Sequence, residues 1–296
     1  MKQTICIAGA TGFIGAHLIK HLRDDYELII ITRKKISSYM GCKTLQWEAL
    51  NLSSNPFENV DAVINLCGKT ILRYWTKSHK KAMYDSRINT TRYLVNAINS
   101  CENKPTCLIN ASAVGFFEGK EDDGPYDEDD TAGNTFLAKL CRDWEKESQE
   151  AQTRVVNLRI GLVLDKDKGF LGLLKIPFYL FQGGHLGTGL QACPWIHISD
   201  VVNIISFSLK STEVEGPIHL VSPEKCSLKE FCSALGKSLR RPSWLHIPAF
   251  LLKYILGEMS TTLLMTPYVK QRKLLKYGYI FKYTSLEKAL NSFFKH

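Results

Sequence analysis

Three glycines near the N-terminus have the spacing of a nucleotide-binding turn. Residues 4–15 read TICIAGATGFIG, so a short β-branched strand runs into Gly9-x-x-Gly12-x-x-Gly15. In such a turn the first glycine permits a tight bend and the second lets the backbone approach a pyrophosphate. The third lets helix and strand pack closely, and the helix N-terminus offers free N–H groups. The alternative is an ordinary glycine loop. The expected dinucleotide contacts are Gly9, Thr11, Gly12, Phe13, Ile14 and Gly15.

The end of the second predicted strand indicates which dinucleotide binds. Residues 27–33 form a continuous apolar strand that ends in Thr32-Arg33-Lys34-Lys35. NAD-binding proteins of this type place a carboxylate here to bind the ribose 2′-hydroxyl, and this chain has none. A guanidinium can instead hold a 2′-phosphate with paired, charge-assisted hydrogen bonds. We therefore expect NADP, with Thr32 and Arg33 as contacts; the alternative is that the three cations only solvate a loop.

Further polar residues follow two later strands. Ser112 follows a predicted strand at 106–111, and the predicted strand at 60–66 leads into Gly68. Ligands of parallel α/β sheets bind at the carboxyl ends of the strands. We therefore expect Ser112 to hold a substrate oxygen, with Lys139 as a ribose ligand or a plain helix-surface lysine. Arg87 could bind the cofactor or a loop. The expected cofactor contacts at this edge are Leu66, Cys67, Gly68 and Arg87.

The order of predicted elements defines the fold class. Strands near 4–8, 27–33, 44–47, 60–66, 106–111 and 154–160 alternate with helices that include 77–99 and 135–149. This alternation predicts an α/β, Rossmann-type, doubly wound parallel sheet. After residue 165 the pattern loosens into a glycine loop at 182–189, a strand from 194 that leads into a helix capped by Ser199 or Asp200, a strand at 217–221 and an amphipathic helix at 248–265. We expect residues 1–165, with about 196–223, to form the NADP-binding domain. Residues 166–195 and 224–296 would form a smaller, mostly helical C-terminal lobe.

Composition narrows the class of function. The chain has 296 residues, 45% of them hydrophobic and 23% charged, with a net charge of +9. These values are ordinary for a globular protein, and the basic excess suits an anionic cofactor. The basic runs at 77–81 and 270–276 are not interleaved with aromatic residues, so nucleic acid is not an expected partner. No apolar stretch is long enough to span a membrane, so no membrane partner is expected either.

The cysteines and histidines indicate the compartment and argue against a metal. Nine cysteines without a C-x-x-C pair are typical of a reducing, cytoplasmic setting without disulfides or zinc. His17 and His21 have the i, i+4 spacing of a metal pair but lack a third ligand. We expect no metal, a small-molecule substrate, and either a monomer or a homodimer.

Several segments together resemble a known family. The glycine turn, Asn65-x-x-Gly68, Ser112 and the segment WIHISD at 195–200 resemble an extended short-chain dehydrogenase/reductase. The segments NLCGKTI at 65–71, FLAKLCRDWE at 136–145 and RPSWLHIP at 241–248 are more similar to its atypical NAD(P)-dependent, epimerase-like branch. That branch has its own C-terminal module, and some members are labelled cell division inhibitors. The resemblance covers essentially the whole chain.

The chain departs from the usual catalytic residues of that superfamily. Ordinary members use a serine or threonine and then Tyr-x-x-x-Lys, in which the tyrosine transfers a proton at the substrate oxygen. Ser112 and Lys139 would match the first and last of these, but Thr135 stands four residues before Lys139. The resemblance therefore implies an NADP-dependent oxidoreductase or epimerase that acts on a small carbonyl or hydroxyl compound, sugars included. The alternative is a non-catalytic NADP-binding sensor or scaffold.

Other polar residues near the expected site have ordinary structural interpretations. Tyr74, Tyr84 and Tyr126 are expected to be structural or surface tyrosines, and His197 a hydrogen-bonded core histidine. Arg159 could equally face the substrate or form a buried ion pair.

Overall fold

A computed structural model describes residues 2–51, 56–120 and 124–294. Residues 121–123 of the acidic loop at 118–133 lie outside the described residues. The strands are β1 Thr4–Ala8, β2 Glu27–Thr32, β3 Ser38–Tyr39, β4 Cys42–Gln46, β5 Ala62–Asn65, β6 Cys107–Ala113, β7 Arg154–Ile160, β8 Leu162–Leu164, β9 Gly184–Leu186, β10 Trp195–His197, β11 Gly216–Leu220 and β12 Leu245–Ile247. The helices are α1 Phe13–Leu22, α2 Lys77–Asn99, α3 Phe136–Gln149, α4 Gly169–Tyr179, α5 Ile198–Lys210, α6 Leu228–Leu239, α7 Ala249–Leu256, α8 Thr261–Leu264, α9 Arg272–Lys276 and α10 Leu286–Phe294.

The main sheet has eight strands in the order β11-β7-β6-β5-β1-β2-β4-β3. All neighbouring strands are parallel except β3, which pairs antiparallel with β4. The order reverses at β1, which places β2 on one side and β5 on the other. This is the strand order of a dinucleotide-binding sheet with its switch point at β1. The predicted Rossmann-type, doubly wound sheet is confirmed.

Helices cover both faces of the sheet, so its central strands are apolar on both sides. On one face, Leu18 of α1 and Ile204 of α5 pack with Ile7 and Ile109. On the other face, Leu94 of α2 packs with strand residues that include Ala8, Val63 and Leu108. Because these strands are parallel, the carboxyl ends of β1, β2, β5 and β6 lie at a single edge of the sheet.

A row of asparagines crosses three strands beneath that edge. Asn65 donates to Asn110 over 2.8 Å, and Asn110 donates to Asn157 over 3.1 Å. All three are fully buried. Asn65 also accepts a hydrogen bond from the backbone N–H of Cys67 at 3.1 Å. The row thereby fixes how the chain leaves β5.

The C-terminal part differs from the sequence-based expectation in three places. The predicted glycine loop at 182–189 contains β9, which pairs in parallel with β12. The predicted helix at 248–265 is broken into α7, a 3₁₀ helix at Gly257–Ser260 and α8, because Gly257 has φ +55°. The predicted cap of α5 is also wrong: His197, not Ser199 or Asp200, is the N-cap, and its Nδ1 accepts the N–H of Ser199 at 3.0 Å.

The acidic loop holds the segment before α9. The backbone N–H of Tyr126 donates to Tyr268 at 2.9 Å, and that of Lys270 donates to Tyr126 at 2.8 Å. Asp129 lies 2.9 Å from Lys273 and also pairs with Arg272. The loop is therefore a docking element as well as a surface loop. No helix in the described part of the chain has both the length and the apolar character needed to cross a bilayer.

Candidate functional site

The glycine turn has room only for glycine at two of its positions. Gly9 has φ +81°, and a Cβ there would lie 2.6 Å from the carbonyl carbon of Leu66. A Cβ on Gly15 would lie 2.5 Å from Cα of Ala10. The first distance reflects the close approach of the turn to the end of β5, and the second the close packing of α1. The predicted roles of these glycines agree with this geometry.

The start of α1 leaves its first N–H groups available to a ligand. Gly12 is the N-cap and supplies no side-chain hydrogen bond, and the first turn contains no acidic residue. The backbone N–H groups of Phe13, Ile14 and Gly15 therefore keep both their donors and the positive end of the helix dipole. Thr11 and Gly12 are exposed beside them. Such a helix start suits a diphosphate.

The end of β2 places an arginine near the end of β5. Thr32 is buried, and its hydroxyl accepts the N–H of Lys34 at 3.1 Å, while Arg33 is exposed. Burial raises the pKa of the Cys67 thiol to about 12, and the charge of Arg33 opposes that shift. The charge of Arg33, at the end of β2, therefore affects the thiol of Cys67, which follows β5. Both strand ends are predicted to contact the cofactor.

Arg87 lies against Gly68 without a carboxylate partner. A Cβ on Gly68 would lie 3.0 Å from Cζ of Arg87. One guanidinium nitrogen donates to the carbonyls of Lys69 and Met83, each at 3.1 Å, and the group lies over the ring of Trp144. Burial lowers the pKa of Arg87. No carboxylate of the described residues lies within ion-pair distance, so Arg87 is an uncompensated cation at the site.

Ser112 belongs to a buried hydrogen-bonded ion pair. Its Oγ donates to Oε1 of Glu145 over 2.6 Å. Arg159 holds both oxygens of that carboxylate, at 2.8 and 2.9 Å, and donates to the backbone carbonyl of Glu128 at 3.0 Å. The Arg159 guanidinium also covers the ring of Phe116 at 3.6 Å. Of the two interpretations of Arg159, the structure shows the buried ion pair.

The face of α3 that looks toward β6 carries no lysine. Leu137, Cys141 and Glu145 are buried at i, i+4 and i+8, so they share one face of the helix. Lys139 lies two positions from Leu137 and from Cys141, about 200° around the helix from each, and is exposed. The structure does not bring Lys139 to Ser112, and its catalytic role stays a prediction.

Thr135, which stands in place of the expected tyrosine, caps α3. Its Oγ1 accepts the N–H of Ala138 at 3.3 Å and donates to Oε2 of Glu118 over 2.7 Å. Glu118 is buried, and burial raises the pKa of its carboxyl group. The threonine therefore anchors the loop that follows β6 to the start of the helix.

A second polar row lies one step nearer the carboxyl edge than the asparagines. Ser112 of β6, Arg159 of β7 and His219 of β11 are register partners on neighbouring strands. His219 is fully buried; its Nδ1 lies 2.6 Å from the carbonyl of Lys270, and its Nε2 has no partner in the described structure. Burial lowers the pKa of His219 to about 3, so the ring is neutral.

Of the remaining candidates, Tyr126, Tyr84 and His197 have structural contacts. Tyr126 is buried and stacks on Phe117 with ring centroids 5.1 Å apart. Tyr84 donates to Asp143 at 3.2 Å, and Tyr74 is exposed. His197 is buried between Tyr283 and Phe293.

Of the histidine pair on α1, His21 is exposed and His17 is partly accessible. His17 lies 3.1 Å from Asp165. The described residues contain no group of three or more His, Cys, Asp and Glu side chains that could hold a metal.

Sequence reasoning missed Glu145, which connects Ser112 to Arg159. A usable signal was present, because Glu145 falls on the apolar face of α3 defined by Leu137, Cys141 and Trp144. A charged residue on a buried helical face requires a partner of opposite charge. Arg159, near the end of the buried strand β7, was the available candidate.

Comparison with known proteins places this arrangement in a family. Residues 5–221 match the NAD dependent epimerase/dehydratase family, and residues 247–293 match a domain of unknown function, DUF1731. The chloroplastic epimerase family protein SDR39U1 homolog of Arabidopsis thaliana is 37% identical over 98% of this chain and 86% of its own length. The epimerase family protein YfhF of Bacillus subtilis is 33% identical over 98% and 97%, respectively.

Solved structures agree with the sequence matches. The crystal structure of human epimerase family protein SDR39U1 with NADPH superposes with a TM-score of 0.90, at 30% identity over 98% of this chain and 99% of that one. A nucleoside-diphosphate sugar epimerase of Corynebacterium glutamicum gives a TM-score of 0.77 at 28% identity, over 98% of this chain and 58% of that one. The presence of NADPH in the human protein agrees with the cofactor expected from residues 32–35. The family match over most of the chain, together with these relatives, shows that this chain belongs to the NAD-dependent epimerase/dehydratase family.

Proposed function

We propose that this chain binds NADP(H) at the carboxyl edge of its main sheet and exchanges hydride with a small carbonyl or hydroxyl compound. The observation that carries the cofactor assignment is the glycine turn, where a Cβ at Gly9 would collide with the backbone of Leu66 beside an uncapped α1. This close-packed turn lets the oxygens of a diphosphate approach the free backbone N–H groups at the start of α1. The human relative SDR39U1, crystallised with NADPH, supports the same choice.

The surrounding residues have distinct proposed roles. Thr32 fixes the turn at the end of β2, so that Arg33 can reach a 2′-phosphate. Leu66, Cys67 and Gly68 supply the wall beside β1, and Arg87 offers its uncompensated charge to an anionic group of the ligand. When bound, the nicotinamide supplies a hydride donor or acceptor.

Ser112 would contact the substrate as a hydrogen-bond acceptor. A hydroxyl has one proton, and that of Ser112 is directed at the Glu145 carboxylate. Its lone pairs remain available, so it suits a substrate hydroxyl better than a carbonyl. We propose that Ser112 orients an alcohol whose carbon would give up hydride to NADP while a water molecule takes the hydroxyl proton. Lys139, on the exposed side of α3, would have to reach the nicotinamide ribose around the helix, so the geometry supports it less than Ser112.

A second candidate function is a non-catalytic NADP(H)-binding protein. The specific observation in its favour is the inward face of α3, where Leu137 has no ionisable proton and burial raises the pKa of Cys141 to about 12. Neither residue can act as a general acid near neutral pH. A protein of this kind would bind NADP(H) tightly without turning over a substrate.

Turnover separates the two candidates. NADP reduction would be measured with a panel of small alcohols and sugars, and NADPH oxidation with the matching carbonyls, for the wild type and Ser112→Ala. Substrate-dependent turnover that falls in Ser112→Ala, with unchanged NADPH affinity, supports the oxidoreductase. Tight NADPH binding with no turnover over the whole panel supports the non-catalytic alternative.

A further inference from the structure

One surface of the molecule carries an unusual concentration of exposed apolar side chains. Most of the exposed large apolar residues in the described chain lie between residues 173 and 190 or between 244 and 255. We call this surface the apolar patch. Members that are more than half accessible include Leu180, Phe181, Trp244, Phe250, Tyr254 and Ile255. A contiguous exposed apolar surface on a globular protein marks an interaction site.

The two segments of the patch are physically joined. β9 and β12 pair in parallel, so the residues just before them lie side by side. Nε1 of Trp244 donates to the carbonyl of Phe181 over 2.9 Å. The guanidinium of Arg241 lies 4.7 Å from the centre of the Phe181 ring. At the other end of the strand pair, a Cβ on Gly187 would lie 4.0 Å from that of Ala249, at the start of α7.

The helices at this surface present apolar side chains to solvent. In α7, Phe250 and Tyr254 are exposed at i and i+4, as are Leu251 and Ile255, while Leu252 alone is buried. The sequence thus places on the outer face of α7 the residues that a globular helix normally buries. In the described structure no other element covers this face.

The charge around the patch is mostly positive; of the flanking carboxylates, Asp167 pairs with Lys175 and Glu258 pairs with Lys80. Residues 231–257 contain Lys237, Arg240, Arg241 and Lys253 and no Asp or Glu. Among the described residues, none of these four cations forms an ion pair within 4.0 Å. Residues 168–199, which carry the other half of the patch, also contain no carboxylate. The patch therefore combines exposed aromatic and aliphatic groups with uncompensated positive charge.

We propose that the apolar patch binds the surface of a membrane that contains anionic lipids. Trp244 and Tyr254 have the amphipathic rings that favour the boundary between headgroups and acyl chains. Lys253 and Arg240 can place their charges among anionic headgroups while their stems contact the apolar layer. The chain would lie on the membrane without spanning it. The sequence-based expectation of no membrane partner rested only on the absence of a spanning segment.

A second copy of the chain fits the patch less well. A two-fold interface would bring two copies of this surface together, and its four cations outnumber the flanking carboxylates Asp167 and Glu258, which are already paired. An anionic lipid surface satisfies the same charges. Each cation near such a surface contributes about a fivefold gain in binding.

Vesicle co-sedimentation of the full chain tests the proposal. The probes are vesicles of phosphatidylcholine alone and vesicles of phosphatidylcholine mixed with phosphatidylglycerol. The variant Phe250→Ser/Tyr254→Ser removes two members of the patch. The control Tyr93→Ser/Ile280→Ser removes two exposed apolar residues outside it. Thermal unfolding of each variant verifies that it folds.

The wild type and the control are expected to bind the anionic vesicles at least tenfold more tightly than the neutral ones, and less tightly as salt is raised. Phe250→Ser/Tyr254→Ser should lose at least tenfold. Absence of binding to the anionic vesicles, or equal binding by the patch variant, overturns the proposal. Patch-dependent dimerisation without vesicle binding also overturns it and assigns the surface to a second copy. Neither result depends on whether the chain binds or turns over NADP(H).

Discussion

Oγ of Ser112 lies 2.6 Å from Oε1 of Glu145, at the carboxyl end of the central strands. The carboxylate is in turn bound by both Nε and Nη2 of Arg159. Ser112, which we expect to orient a substrate, is therefore the last member of a series of charge-assisted hydrogen bonds. This geometry fixes the rotamer of Ser112 and directs its proton away from any ligand.

Breaking the ion pair should destabilise the fold strongly. The side chains of Arg159 and Glu145 are only 4% and 11% exposed, so Glu145→Gln leaves a buried guanidinium without its counter-charge. We expect a loss of about 3–5 kcal/mol in the free energy of unfolding, measured by urea denaturation. The double variant Glu145→Gln/Arg159→Met removes both charges and should recover much of that loss. A double variant as unstable as the sum of the single ones would contradict this account.

Gly9→Ala should abolish cofactor binding. The new Cβ would lie 2.6 Å from the carbonyl carbon of Leu66, at a φ that costs an ordinary residue about 1–2 kcal/mol. Gly41→Ala is the matched control, because Gly41 has the same φ of +81° with nothing within 4 Å of its Cβ position. Calorimetric titration with NADPH should detect no binding by Gly9→Ala and wild-type affinity for Gly41→Ala. Equal affinities in the two variants would show that the close approach to β5 is unimportant.

Arg33→Asp should reverse the cofactor preference. The substitution removes the proposed clamp on the 2′-phosphate and adds a carboxylate that repels it. We expect NADPH affinity to fall about 10–100-fold, because a hydrogen bond to a charged group contributes about 1.5–3 kcal/mol. NADH affinity should hold or rise. Arg23→Asp makes the same charge change at the opposite end of β2 and should leave the ratio of the two affinities unaltered; a loss of NADPH affinity there would point to a general charge effect.

His197 should make the protein less stable in mild acid. Its folded pKa is lowered to about 4, chiefly by burial, against about 6.5 when unfolded. The unfolded chain therefore binds more protons between these values, so stability is full above pH 6.5 and falls by about 1.4 kcal/mol per pH unit below it. Asparagine is a good N-cap, so His197→Asn keeps the cap of α5 without a titrating group.

Urea midpoints at pH 7, 6 and 5 measure this effect. They should fall less steeply for His197→Asn than for the wild type. His246→Asn, at an exposed histidine, should follow the wild type. Parallel curves for the wild type and His197→Asn would mean that His197 carries no part of the pH dependence.

The sequence predicted most of the sheet because its signals are local. The helix at Lys77–Asn99 and the strand at Arg154–Ile160 begin and end where the sequence placed them, since continuous apolar strands and long helical periodicity are strong patterns. The β9–β12 pair was missed because two three-residue strands more than fifty residues apart leave no periodic trace. Gly257, with its positive φ, ended a helix whose apolar pattern continued past it.

The site was predicted less completely than the sheet, because side-chain partners depend on tertiary contact. Ser112 and Lys139 were the expected catalytic residues, yet the rotation of α3 presents Glu145 to Ser112 and turns Lys139 to solvent. Arg159 left two interpretations open, because the sequence does not show that Glu145 lies across from it. Backbone requirements, such as the glycine at position 9, were readable from the sequence alone.

Thermal unfolding with NADPH, NADP, NADH or no ligand, at matched concentrations, tests the central claim most directly. A ligand present at about 100 times its Kd stabilises the folded state by about 2.7 kcal/mol, which is readily measured as a rise in Tm. We predict a clear rise with NADPH and NADP, a much smaller one with NADH, and none for Gly9→Ala. An equal rise with NADH, or no rise with any nucleotide, would contradict the assignment of the glycine turn and Arg33 to NADP(H).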